Sequence, residues 1–191
     1  YGNLGGDGGK LGIGPHGGPT YGIRYDFRMS GFIQAGLSAN YMDLERLIVD
    51  ADDPPDARVT GPVSQSVVTI EAALQFNITG GKTWHGLQPF FTGGLGYALG
   101  STTKADTSGF KFGNRFSISP GVGLRFYPTS RIHFRIEARQ HFWKLKYPPA
   151  FQDEPASVPG GIGNEDAVIT DKKLNEWANG WWIMGGIGFS F

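Results

Sequence analysis

Histidine side chains are the first candidates for acid–base or metal chemistry in this sequence. His133 and His141 lie on one face of a predicted strand but eight residues apart, about 26 Å of extended chain, so they cannot share a metal ion. His16 and His85 lie in glycine-rich connections. No histidine–serine step is present, and no carboxylates gather beside a histidine, the arrangements that would activate a hydrolytic nucleophile. We therefore expect no catalytic residue, no metal site and no cofactor.

Carboxylates are concentrated in one segment, where Asp50, Asp52, Asp53 and Asp56 fall within seven residues. Calcium favours such clusters of oxygen atoms, but this segment has neither EF-hand spacing nor a turn glycine. Two prolines stiffen the segment, and we interpret it as a solvated loop. The glycine-rich runs of the chain precede no predicted helix, so they lack the geometry of a phosphate-binding loop.

A third set of charged side chains lies within segments that alternate between polar and apolar residues. They share the polar face of these segments with Gly, Ser, Thr and Gln. This set could line a selective pore or form a structural network of ion pairs. We favour the network, because the alternation of these segments predicts a small barrel of eight strands, and the interior of such a barrel is filled by side chains. Its predicted members are Arg24, Asp26, Arg28, Glu71, Arg115, Arg125, Arg135, Glu137 and Arg139.

The elements that position these charges are strands, because polar and apolar residues alternate with period two along most of the chain. Seven segments show the pattern, the first running from Thr20 and the last ending at Phe191. Each holds about 11–14 residues, which at a tilt of about 40° span a bilayer. Outer-membrane barrels close with an even number of strands. The sequence therefore predicts an all-β fold, an eight-stranded antiparallel up-and-down transmembrane β-barrel.

The whole of 1–191 is predicted to be a single barrel domain. Its first strand is poorly defined, since residues 1–18 hold either a short strand at Lys10–His16 or the first outer loop, with the strand itself upstream. Connections alternate between short and long, as expected for short periplasmic turns and long outer loops. The predicted long outer loops are residues 45–65, 100–112 and 146–176.

The two faces of the strands indicate which side meets lipid. The apolar face is bulky, whereas the polar face carries the glycines that a crowded interior needs. Aromatic residues gather near strand ends, as in the interfacial girdles of membrane barrels. Lipid-facing residues are therefore predicted to be Ile70, Leu74, Phe91, Leu95, Val122, Leu124, Ile136, Ile183 and Ile187. Pro120 lies inside a strand, where its missing amide predicts a β-bulge.

Three segments resemble strands of known bacterial barrels. Residues 181–191 (WWIMGGIGFSF) resemble the C-terminal strand of outer-membrane barrels, which ends in an aromatic residue after alternating apolar positions. Residues 89–97 (PFFTGGLGY) and 119–126 (SPGVGLRF) resemble strands of the OmpA/OmpX/OmpW-like group of outer membrane protein β-barrels. The resemblance implies a bacterial outer-membrane location. It also implies that Phe189 and Phe191 form the signal read by the barrel-assembly machinery.

Composition limits the possible partners. With 17 basic and 17 acidic side chains the formal charge is zero, so we expect no nucleic-acid partner. The expected partners are membrane lipid and lipopolysaccharide, the assembly machinery during biogenesis, and a protein bound through the outer loops. The predicted role is structural or surface-interacting and non-enzymatic, with a lumen plugged by charged side chains. The alternatives are a soluble lipocalin-like ligand-binding barrel, and a barrel enzyme or narrow channel.

Overall fold

The computed structural model describes residues 1–101, 106, 108–153, 166–170 and 173–190. It is a closed barrel in which eight antiparallel strands are neighbours in chain order and the last pairs with the first. The predicted all-β eight-stranded barrel is therefore confirmed. In the described part of the last connection a 3-10 turn lies at Pro149–Gln152. The strands are β1 Gly2–Leu4, β2 Gly18–Arg28, β3 Ile33–Val49, β4 Val59–Asn77, β5 Leu87–Gly100, β6 Asn114–Phe126, β7 Ile132–Lys146 and β8 Asn175–Phe189.

The exterior of the barrel is apolar. All nine residues predicted to face lipid are exposed, from 38% at Leu124 to 65% at Ile187. Aromatic side chains surround them, including Tyr21, Tyr97 and Trp181. A continuous band of this size on a soluble protein would drive association, whereas a membrane barrel requires it. No helix in the described part of the chain is long and apolar enough to cross a membrane.

The two ends of the barrel differ in the length of their connections. At the short-turn end the strands are joined by residues 29–32, 78–86 and 127–131. At the long-loop end they are joined by residues 5–17, 50–58, 101–113 and 147–174. The predicted loop 45–65 is thus shorter than expected, because β3 and β4 continue their ladder as far as the pair Val49–Val59.

β3 and β4 form a hairpin that extends beyond the rest of the barrel at the long-loop end. β5 pairs with β4 from Val67 onwards, and the Ser101 amide donates to the Ser66 carbonyl at 3.0 Å. Among the described residues no strand lies beside the preceding part of β4 on that side. A register shift between Arg46 and Ile48 bends the hairpin, and Pro62 lies opposite this irregularity. Proline is tolerated there because a bulged edge strand does not need its amide hydrogen.

The first strand differs from both sequence-based possibilities for its position. It consists of Gly2–Leu4, paired with β2 on one side and β8 on the other. Lys10–His16 is not a strand, and only His16 makes an isolated bridge, to Glu45. Three residues are too few to show alternation, and the glycines that follow carry no side-chain pattern.

The bulge predicted at Pro120 is absent. Gly93 pairs with Pro120 in regular register on the β5 side. On the β7 side the ladder passes from Ile118–Phe142 to Gly121–Arg139 without a change of register. The missing amide of proline is accommodated by leaving out two ladder pairs, so the strand stays straight and no extra residue is inserted.

The interior of the barrel has two layers. Toward the short-turn end it holds charged and amide side chains, among them Arg125, Arg139 and Gln75. Toward the long-loop end it holds a hydrophobic core that includes Met42, Leu44, Trp143 and Trp182. The long connections cover this core. We call them the outer cap and define it by their buried side chains, Ile13, Phe110, Phe112 and Phe151.

Candidate functional site: the barrel lumen

Ion pairs bring seven of the nine predicted network residues together in the lumen. Asp26 on β2 is the first centre of the network. Its carboxylate accepts from Arg24 Nε at 2.6 Å and from Arg125 Nη2 at 2.6 Å, with Arg135 Nη1 at 3.5 Å. Because these residues come from β2, β6 and β7, the contacts cross the lumen instead of following one ladder.

Glu137 and Glu71 form the second centre. Glu137 accepts from Arg135 Nε at 2.7 Å and from Arg139 Nε at 2.5 Å. Arg139 Nη1 also pairs with Glu71, whose other oxygen accepts from the Ser119 hydroxyl. The side chains of Glu71 and Arg139 are each only 2% exposed. Burial of so many charges is tolerable because each carboxylate has at least two donors.

Amide and aromatic side chains complete this layer. Gln75 Oε1 accepts from Arg135 at 2.8 Å and from Arg125 at 3.1 Å. Phe90 lies against both cations, with the Arg135 guanidinium 4.3 Å from its ring centroid. Sequence reasoning missed Gln75 and Phe90. Their inward register was the available signal, because both occupy lumen positions of the alternation.

Glycines provide the room that these large side chains occupy. A Cβ atom at Gly94 would lie 2.3 Å from the Glu71 carboxyl carbon. A Cβ atom at Gly123 would lie 2.3 Å from the Phe90 ring. Both distances are far inside van der Waals contact, so the glycine-rich polar face is a requirement of the packed lumen.

Arg28 and Arg115 do not belong to the network, which corrects the prediction for these two residues. Arg28 is the last residue of β2 and is exposed at the short-turn end. Arg115 lies near the start of β6 at the other end, where its Nη2 donates to the Lys111 carbonyl at 3.1 Å. Both share the polar face with the network, but strand ends place them beyond the reach of its carboxylates.

The hydrophobic layer is centred on His141. Its ring lies 4.9 Å from that of Trp143 and 5.5 Å from that of Trp182, edge-on to both. Phe112 of the outer cap stacks edge-on against Trp143 at 5.2 Å. The indole of Trp182 donates to Thr20 Oγ1 at 2.9 Å. The layer therefore lies inside the barrel between the charged network and the outer cap.

Polar contacts hold the outer cap against the barrel. Arg46 on β3 donates to Asp106 at 2.5 Å and to Gln65 at 3.1 Å, and its guanidinium lies 5.4 Å from the Phe110 ring. Burial opposes ionisation of Asp106, but hydrogen bonds from Ser108 and Arg46 outweigh it and lower the pKa of Asp106 below its ordinary 3.8. We call this contact between Arg46 and Asp106 the cap latch.

A second group of contacts joins two long connections. The Tyr147 hydroxyl donates to Glu176, which also accepts from the backbone amide of Lys10 at 2.8 Å. Burial and the neighbouring Glu176 carboxylate raise the pKa of Tyr147 above its ordinary value. A third contact joins the β3–β4 connection to the β7–β8 connection, because Arg58 Nη2 donates to the Asp166 carbonyl at 2.7 Å.

The remaining predicted features lie apart from the lumen. Asp52, Asp53 and Asp56 are exposed at the tip of the β3–β4 hairpin. Among the described residues no three His, Asp or Glu side chains are grouped to hold a metal ion. Phe189 ends β8 with its side chain 68% exposed on the outer surface. Phe191, the other predicted part of the assembly signal, is outside the described residues.

Comparisons with known proteins support the architecture. No family model matches the chain, and no curated protein matches it. Among solved structures it is similar to the outer membrane protein OprG from Pseudomonas aeruginosa, with a TM-score of 0.54 and 12% identity over 100% of this chain and 87% of that one. It also resembles the outer membrane enzyme PagL, with a TM-score of 0.46 and 14% identity over 95% and 93% of the two chains.

At these identities the likeness to OprG concerns the fold alone, and the likeness to PagL is too low to support an argument. The eight-stranded closed topology and the exposed apolar exterior are both features of barrels that span a membrane. Together they identify a membrane-spanning barrel of the bacterial outer-membrane type, as the sequence predicts, consistent with the OmpA/OmpX/OmpW-like group.

Proposed function

We propose that this outer-membrane barrel has a structural and surface-interacting role, without enzymatic activity and without a through-channel. The observation that supports this proposal is the presence of two successive layers of buried side chains inside the barrel, one charged and one hydrophobic. Ions entering from the short-turn end would meet the charged network, and those entering from the long-loop end would meet the outer cap and the tryptophans beneath it. Small barrels are generally filled by side chains in this way.

Conductance in planar bilayers tests the plugged lumen. The purified protein should insert without producing steady current steps. The double variant Trp143→Ala/Trp182→Ala, which removes the largest side chains of the hydrophobic layer, should conduct more than the parent. Steady conductance by the parent protein, unchanged by this double variant, would contradict the proposal and favour a narrow channel.

The non-enzymatic role rests on the chemistry of the lumen. Its carboxylates are paired with guanidinium groups, and the buried His141 lies edge-on to two tryptophan rings. Neither ring nitrogen of His141 has a hydrogen-bond partner among the described residues. Neither arrangement offers an activated nucleophile. Incubation of the folded barrel with lipid A or with peptides should therefore release no product, and turnover of either substrate would overturn this part of the proposal.

The long-loop end is the proposed interaction surface, facing the cell exterior. Its exposed hairpin tip carries the Asp52, Asp53 and Asp56 carboxylates, which favour a basic partner. Membrane lipid and lipopolysaccharide are the proposed contacts of the apolar exterior, and the barrel-assembly machinery is the proposed partner during biogenesis. Replacing these three aspartates with asparagine should leave folding unchanged and should abolish binding of the basic partner to cells that display the barrel.

A further inference from the structure

The two ends of the barrel differ in the sign of their charged residues. The four long connections hold eleven acidic and six basic residues, whereas the three short turns hold two basic residues, Lys82 and Arg131, and no acidic one. Arg28 adds a third cation on the same side, at the end of β2. All three side chains are exposed, and none forms an ion pair with a described residue. We call Arg28, Lys82 and Arg131 the basic rim.

The basic rim lies next to the last residues of the apolar exterior. Phe27, which is exposed on the outer face, immediately precedes Arg28. The exposed Ile78 begins the turn that carries Lys82, and the exposed Phe126 ends β6 just before the turn that carries Arg131. Long cationic side chains at the end of an apolar surface keep their stems on that surface and their charges at the water boundary. The rim therefore lies at the headgroup level of a bilayer.

Contacts between the three short turns make them one connected surface. The Phe32 ring lies against the β4–β5 turn, where a Cβ atom built on Gly80 would be 3.1 Å from it. The Asn77 amide donates to the Phe32 carbonyl at 2.8 Å. The Tyr127 amide donates to the Gly86 carbonyl at 2.8 Å, which joins the β6–β7 turn to the β4–β5 turn. The three cations are thus held on one surface instead of on three independent loops.

A tight hairpin presents an exposed tryptophan beside this rim. Trp84 and Leu87 exchange two backbone hydrogen bonds, each of 2.8 Å. Between them His85 and Gly86 have φ angles of 49° and 80°, and positive φ at both central residues is typical of a two-residue hairpin turn. The Trp84 side chain is 66% exposed, with its ring 5.3 Å from that of His85. Since tryptophan is enriched at membrane–water interfaces, Trp84 and the rim lie at the same level.

We propose that the basic rim binds the phosphate groups of anionic phospholipids in the leaflet that meets the short-turn end. Connection lengths orient this end toward the periplasm, so this is the periplasmic leaflet. A phospholipid fits this surface because its acyl chains contact the neighbouring Phe27 and Ile78 while its phosphate contacts the cations. The inference rests on the proposed contact between the apolar exterior and membrane lipid, and it assigns the class of lipid.

Tryptophan quenching in vesicles measures the proposed preference. Trp84 is the one tryptophan of five at the short-turn end, since Trp143 lies in β7 and the other three lie in β8, all toward the long-loop end. The barrel is folded into mixed vesicles of phosphatidylglycerol and phosphatidylcholine in which one lipid at a time carries brominated chains. The quenching of Trp84 is the difference between the parent and Trp84→Phe.

The parent should bind phosphatidylglycerol about fivefold more strongly than phosphatidylcholine at the sites that Trp84 reports. This factor corresponds to about 1 kcal/mol for a basic side chain near an anionic membrane surface. The preference should weaken when the salt concentration rises from about 0.1 M to about 1 M, because the Debye length falls from about 10 Å to about 3 Å.

Charge-matched variants test whether the rim is the origin of the preference. Arg28→Gln/Lys82→Gln/Arg131→Gln should lose it. The control Lys111→Gln/Lys144→Gln/Lys146→Gln removes three exposed lysines at the long-loop end and should keep it. The single variant Lys82→Gln, two residues from Trp84, should lose part of the preference and serves if the triple variant does not fold. Heat-modifiable gel mobility reports folding in every sample.

Three results would overturn the proposal. Equal quenching by the two brominated lipids in the folded parent would mean that the rim has no lipid preference. An equal preference in the parent and the folded rim variants would place its origin elsewhere. Cosedimentation of the folded parent with purified peptidoglycan, without a lipid preference, would assign the rim to the cell wall. These results leave the structural role intact, whereas a chain that does not fold into vesicles at all would contradict the membrane barrel itself.

Discussion

Replacement of Arg139 by methionine tests whether the charged network stabilises the barrel. Arg139 is buried and is the shared cation of Glu71 and Glu137. Methionine keeps much of its volume while removing the charge. Glu71 would then retain only the Ser119 hydroxyl as a donor among the described residues, at 2% exposure.

The expected loss follows from the charge left behind. Two unit charges about 4 Å apart interact by about 4 kcal/mol at an effective dielectric constant of about 20. Breaking a buried ion pair from one side generally costs about 3–5 kcal/mol, since the remaining charge stays desolvated. We expect a decrease of this size in the free energy of unfolding of Arg139→Met. Neutralising the abandoned carboxylate in Arg139→Met/Glu71→Gln should restore part of it, with a coupling of about 0.5–3 kcal/mol.

Urea unfolding in detergent micelles, followed by tryptophan fluorescence, measures this loss. Trp182 lies 5.8 Å from the Arg139 guanidinium and so reports on the same part of the lumen. Arg28→Met is the matched control, because Arg28 lies on the same face but at an exposed strand end. Its effect should stay within about 0.5 kcal/mol. Equal stabilities for Arg139→Met and Arg28→Met would refute the reasoning, because they would mean that water enters the lumen and screens the charges.

Three further perturbations probe the exterior, the outer cap and barrel closure. Leu95→Arg, on the lipid-facing surface, should make folding into vesicles less favourable by about 2–4 kcal/mol if the residue lies near the midplane. Leu95→Ala should cost less, and equal costs for the two variants would mean that this face does not meet lipid. Asp106→Asn should expose loop 101–113 to protease at neutral pH. Because the folded pKa of Asp106 is lowered, the cap latch of the parent is complete above the ordinary pKa of 3.8 and is lost only as pH falls through the lower folded value; cleavage of the parent and the variant at equal rates at neutral pH would contradict this. Deleting residues 181–191 removes most of the strand that pairs with both β7 and β1 and should abolish heat-modifiable barrel in membrane extracts, whereas a charged residue at Phe191 should only slow its appearance; insertion of the truncated chain would show that β8 is not the closing strand.

Alternation predicted the exterior of the fold well, because lipid imposes one requirement on every outward residue. Ile70, Leu95 and Ile136 could be assigned from period two alone. The interior was harder to predict, since polar and apolar residues both occupy inward positions. Trp182 has the same register as the glycines beside it, and only its position near the long-loop end distinguishes the hydrophobic layer from the charged one.

The parts of the site built from loops could not be predicted for a different reason. Phe112 lies in a connection, where no periodicity relates a residue to the barrel axis. The cap latch joins Arg46 to Asp106 across sixty positions of chain, a distance over which sequence spacing carries no information. Arg28 and Arg115 show the converse limit, because alternation assigns a face but does not give the height of a side chain along the barrel.

The hairpin formed by β3 and β4 has a consequence for how these barrels can crowd together in a membrane. Its β3 edge is covered by loop 5–17, through backbone hydrogen bonds from His16 to Glu45 and from Leu47 to Gly12. On the other side, residues 59–64 of β4 have no ladder partner among the described residues. Neighbouring barrels diffusing in one plane would bring such edges together repeatedly. Pro62 removes an amide donor from that edge, and proline is one of the devices that protect exposed strands from pairing. The carboxylates at the hairpin tip add mutual repulsion. Dense lateral packing is thus possible without the hairpins joining into an intermolecular sheet.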